Sequence, residues 1–119
     1  MFDFIEKRRY ARIDAHVPVQ YKELHSGSPI TGAVTKDLSE GGIKFYTHKF
    51  ISLACRMIVE LNLPAVENNI KAISKVAWIK KLPAGDDYEV GNQFLDMTKE
   101  DKQTISGYVK KFLESTDSE

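Results

Sequence analysis

The chain has 119 residues, 42% hydrophobic and 29% charged, with 17 basic and 17 acidic side chains. That is the length of about one domain, able to bury roughly two-thirds of its unfolded surface without a disulfide or a metal staple. The composition excludes a wholly disordered chain, a collagen and a membrane bundle. A formal net charge of zero argues against a protein that binds nucleic acid through its whole surface, but not against a small anion held by a local cluster.

The chain opens Met1-Phe2-Asp3-Phe4-Ile5-Glu6-Lys7, which lacks the apolar stretch of a secretory signal. No run approaches the roughly 18 apolar residues of a membrane span, and the lone Cys55 cannot form an internal disulfide. A cytoplasmic location without membrane insertion is expected. The cluster Lys7-Arg8-Arg9-Tyr10-Ala11-Arg12 lies in a segment without strong periodicity, expected as an N-terminal arm over residues 1–14. His16 to Lys22 alternates, with Val17, Val19 and Tyr21 on one face, and Pro18 suits an edge or a strand start. Thr31 to Leu38 supplies a second strand leading into the diglycine Gly41-Gly42, and Ile43 and Phe45 pattern a third. Met57, Val59, Leu61 and Leu63 define a fourth, ended by Pro64. Ile70 to Lys80 is β-branched, and Tyr88 to Leu95 gives the sixth strand.

Connections this short favour antiparallel pairing, and a small sheet removes its edges most simply by closing into a barrel. The predicted fold is therefore mainly β, a six-stranded antiparallel barrel over residues 15–96. From Thr98 the period changes. Ile105, Tyr108, Val109, Phe112 and Leu113 line one helical face, with Thr98 as N-cap and Glu100 and Asp101 in the first turn. A helix is expected over residues 97–114, with a disordered acidic tail over 115–119.

Two segments carry candidate chemistry. Lys7, Arg8, Arg9 and Arg12 repel one another unless an anion or an acidic partner is near; the bland alternative is a solvated basic arm. Asp37 and Ser39 lie two apart, pointing to one side of an extended chain, and Gly41 and Gly42 permit a positive φ or a close approach. Taken alone, that stretch reads as a hairpin whose Asp and Ser bond the local backbone. Val76 and Trp78 are expected on one face, with Ala77 and Ile79 on the other. The Trp78 ring then either stacks on a base or fills space between strand and helix. His16, His25, His48 and Cys55 lack the close spacings of a zinc site, and no nucleophile elbow or phosphate-binding GxxxxGK[ST] loop is present. Neither catalysis, metal nor cofactor is expected.

Together, Arg8-x-x-x-Arg12 followed by Asp37-x-Ser39-x-x-Gly42 resembles the paired motif of PilZ domains. Val76-Ala77-Trp78, Tyr88 to Phe94 and the closing helix extend the resemblance from about Glu6 to Leu113. It implies a split-barrel receptor for the bacterial second messenger cyclic di-GMP, with ligand contacts from Lys7, Arg8, Arg9, Arg12, Asp37, Ser39, Gly41, Gly42 and Trp78. The chemistry suits a ligand with two phosphates and two guanines. A guanidinium fork grips phosphate oxygens bidentately and also donates to guanine O6 and N7. Asp37 can accept from guanine N1 and N2 or from an arginine, and both roles stay open at this point. So does the binding of one ligand or a stacked pair, which the position of Lys7 affects in this family. The expected function is a stand-alone receptor in which ligand orders the arm and changes the surface seen by a downstream effector protein. The alternatives are a PilZ-like adaptor for motility or pilus assembly that binds no nucleotide, and a small barrel binding single-stranded RNA. DNA or RNA partners are not expected.

Overall fold

A computed structural model describes residues 12–25, 29–64 and 66–117. The elements are β1 (Arg12–Asp14), β2 (Pro18–Glu23), β3 (Thr31–Ser39), β4 (Gly42–Thr47), β5 (Arg56–Leu61), β6 (Ile70–Lys81), β7 (Tyr88–Asp96) and one helix, α1 (Lys99–Asp117). All strand pairings are antiparallel. Strands run in the order β3-β2-β5-β6-β7-β4, and β4 pairs back onto β3, closing a six-stranded barrel. These six are the strands that the alternation predicts.

Alternate residues fill the interior, among them Val17, Val19, Leu38, Ile43, Phe45, Met57, Val59, Leu61, Ile70, Val76 and Val90. Two polar pairs are enclosed with them: Ser74 donates to Asn92 Oδ1 at 3.1 Å, and the Tyr21 and Thr47 hydroxyls bond at 2.8 Å. Helix α1 lies against β1 and β3 and buries Ile105 and Val109. Thr98 caps it, its hydroxyl accepting from the Asp101 amide at 3.1 Å. None of the described helical segments is long and apolar enough to cross a membrane.

Two features depart from the sequence expectation. Residues 12–14, expected within the arm, form a seventh strand on the C-terminal half of β3, pairing Arg12 with Ser39 and Asp14 with Asp37. Ile13 turns into the core between them, but a strand of three residues is too short for alternation to announce it. The rest of that expected arm lies outside the described residues. The helix also continues past residue 114 to Asp117. Its last turn needs no apolar face, because the preceding turns already supply the backbone acceptors and each added residue costs little.

Thr35 ties β1 to the barrel. Its hydroxyl donates to the Ala15 carbonyl at 2.6 Å and accepts from the Val17 amide at 2.9 Å, while its own amide donates to the Val17 carbonyl at 2.9 Å. The 15–17 connection is thereby fixed, and with it the place where Arg12 emerges.

Candidate functional site

Two β-bulges build the site. The first shifts the β3–β4 register between Thr35 and Asp37. An extra residue in one strand reverses the inside-outside phase beyond it. Thr35 faces inward, and past the bulge Leu38 fills the core while Asp37 and Ser39 turn to the outer face beside β1. The second bulge shifts the β6–β7 register between Val76 and Trp78. Val76 is buried, Ile79 packs against the core, and Trp78 turns outward with 41% exposure. This corrects the expectation that Val76 and Trp78 share a face: the bulged residue Ala77 breaks the alternation on which it rested.

The outward residues fall into register across the strands. One row runs Asp14, Asp37, Lys44, Gly91, Trp78, and the next runs Arg12, Ser39, Gly42, Gln93, Lys75. Arg12 forms an ion pair with Asp37 Oδ1, and Lys44 Nζ reaches Asp37 Oδ2 at 3.0 Å. The Asp37 side chain is 5% exposed, with a cation on each oxygen. A carboxylate this buried needs such partners to offset its lost hydration. Lys44 also lies 3.8 Å from Glu89 Oε2. Lys36, in the first bulge, donates to the Tyr46 hydroxyl at 2.8 Å. That bond is the main cause lifting its ammonium above the ordinary lysine pKa, so it remains cationic.

Ser39 serves the turn, as the plain hairpin reading expects: its hydroxyl oxygen accepts from the Gly41 and Gly42 amides at 3.1 and 3.2 Å. Asp37 does not; it reaches across to β1 and β4. The Gly41 carbonyl accepts from the Phe94 amide at 2.9 Å, anchoring the turn to β7. Gly42 is needed for close approach rather than for a positive φ. A Cβ there would stand 2.0 Å from the Asn92 carbonyl oxygen, so the tight contact is with the β7 backbone. At Gly91 a Cβ would lie 2.4 Å from the Trp78 indole, which drapes over the space that the glycine leaves open. The ring thus forms a half-exposed shelf over Gly91 of β7, two strands and about 10 Å across the sheet from Asp37 of β3.

The fold therefore brings Arg12, Asp37, Ser39, Gly41 and Gly42 together and places Trp78 further along the same outer row. Lys7, Arg8 and Arg9 lie outside the described residues. Four residues to which the sequence reading gave no site role have parts here: Thr35, Lys44, Glu89 and Gly91. Lys44 carries a legible signal, since Ile43 and Phe45 point inward and send it outward. Its place opposite Asp37 comes only from pairing.

The chain matches the PilZ domain family over residues 6–111. It belongs to that family. No curated protein matches it in sequence. Among solved structures it is similar to the Bacillus subtilis inhibitor of motility MotI/DgrA, with 20% identity and a TM-score of 0.77 over 90% of this chain and 52% of that one. It is also similar to Escherichia coli YcgR in complex with c-di-GMP, with 16% identity and a TM-score of 0.76 over 94% of this chain and 48% of that one. The PilZ domain of YcgR with c-di-GMP aligns over 94% of this chain and 95% of that domain, with 19% identity and a TM-score of 0.71. The chain thus spans about half the length of the first two proteins. At these identities the likeness is one of fold.

Proposed function

We propose that the chain is a cytoplasmic receptor for cyclic di-GMP, binding it on the outer face where β1, β3 and β4 meet. The observation that carries this reading is the Arg12–Asp37 ion pair, set beside the Ser39–Gly42 turn and in line with the Trp78 shelf. Membership of the PilZ family and the c-di-GMP complex of the similar YcgR support it. With its side chain only 5% exposed and a cation on each oxygen, Asp37 acts by aiming Arg12 rather than by reading a guanine edge. Arg12 then presents its remaining donors to phosphate or to guanine. Trp78 offers a face on which a guanine stacks, worth about 1–3 kcal/mol per base in comparable settings.

Charge explains why the arm is required. On the barrel wall Arg12, Lys36, Lys44 and Lys75 are largely offset by Asp14, Asp37 and Glu89. A dianion gains little from that wall alone, so Lys7, Arg8 and Arg9 supply the net attraction. Ligand thereby draws residues 1–11 onto the barrel and alters the surface seen by an effector protein, a disorder-to-order route to control.

Calorimetric titration with cyclic di-GMP tests the reading. Binding at micromolar or tighter Kd is expected, with Arg8→Ala or Arg12→Ala weakening it at least tenfold and lysine at either position failing to restore it. Because Trp78 is the single tryptophan, its fluorescence should change in the same titration. No heat and no spectral change at tens of micromolar would overturn the receptor reading in favour of an adaptor that works without nucleotide.

A further inference from the structure

Lys44 stands between the two halves of the site. On β3 its register partner is Asp37, and on β7 it is Gly91, over which the Trp78 ring lies. Its side chain keeps 24% exposure. An ammonium has three donors. Lys44 bonds one acceptor closely, Asp37 Oδ2 at 3.0 Å, while Glu89 Oε2 at 3.8 Å is near enough to attract it but too far for a hydrogen bond. Glu89, 12% exposed, sits one register step along β7 from the Gly91 row, opposite Tyr46. A carboxylate in that place does two things. It draws the lysine head toward β7, and it occupies the cation that an arriving anion would use.

We propose that Lys44 is an additional phosphate-binding cation of this site, and that Glu89 sets the affinity by competing for it as an internal carboxylate. The inference rests on the cyclic di-GMP reading and deepens it by assigning two residues outside the paired motif. Binding draws the Lys44 ammonium from the attraction of Glu89 and directs one of its donors to a phosphate oxygen, leaving the Asp37 bond, and hence the aim of Arg12, intact. Glu89 is thus a brake on binding, acting through Lys44.

The expected result runs opposite to ordinary damage at a site. Glu89→Gln should bind cyclic di-GMP roughly three- to tenfold more tightly than the parent at low salt, with the gain shrinking as added salt screens the charges. Lys44→Met should bind about tenfold more weakly. In the Lys44→Met background the Glu89→Gln gain should vanish, which a double-mutant cycle measures directly. Circular dichroism and a melting curve on each variant separate these effects from loss of fold. Glu89→Gln binding no more tightly than the parent while folding normally would overturn the inference, and so would an equal gain with and without Lys44. Should either of those outcomes occur while Arg12→Ala still loses binding under the same conditions, the receptor reading stands and only this inference falls; if the parent itself gives no titration, both fall.

Discussion

The barrel has two unlike walls. Along β2, β5 and the first half of β6 the register runs unbroken from Arg56 to Leu61, with Met57, Val59 and Leu61 inward and Arg56, Ile58 and Glu60 on the other side. Along β3, β4, β7 and the β6 residues paired to β7, three register shifts interrupt the pairing, two of them at the site, and an ion-paired carboxylate lies buried between strands. The first wall is what alternation and close packing produce unaided. The second spends regularity to turn Asp37, Ser39 and Trp78 outward. A barrel with one regular wall can hold an irregular one in place, because closure leaves no free edge along which the bulged strands could slip.

Three substitutions would break or sharpen that contrast. The largest effect is expected from Gly42→Ala, where the new Cβ meets backbone rather than a movable side chain. Strands β4 and β7 would have to separate locally. A loss of about 3–5 kcal/mol in urea denaturation is expected, with ligand binding lost as well; a variant as stable as the parent would show that the walls tolerate separation. Met57→Ala on the regular wall comes next. It leaves a cavity in the core, and a loss of about 2–4 kcal/mol is expected with the Kd for cyclic di-GMP unchanged in the folded protein. A shifted Kd would mean that the two walls are coupled. The smallest is Thr35→Val, which removes the hydroxyl joining Ala15 and Val17 and leaves a buried amide with one partner fewer. About 1–2 kcal/mol of stability should be lost. Binding should weaken several-fold because β1, which carries Arg12, loses its tie; unchanged binding would show that Asp37 alone is enough to place the arginine.

Much of this was legible beforehand, and unevenly so. Six strands and the helix follow from periods of two and of three to four, because burying one face of a strand or helix is the dominant free-energy gain and it marks the residue pattern directly. The motif residues Arg12, Asp37, Ser39 and Gly42 stand out as a set. Their chemistry needs a forked cation, a carboxylate and a tight turn, and few residue types supply these. Lys44, Glu89, Thr35 and Gly91 do not stand out. Each is ordinary in its own strand, and each acquires a role only from what lies opposite it.

The amino-acid sequence by itself determined the fold class, the closing helix and the identity of the motif, since each depends on local pattern and on which groups are available. Tertiary structure alone decided which way Trp78 faces, where Arg12 enters and which cations hold Asp37. A one-residue bulge reverses the phase of a strand, and cross-strand pairing joins residues as distant as Asp14, Asp37, Lys44 and Gly91. Neither leaves a mark in the sequence, because both arise from the register of separate segments and not from the composition of any one.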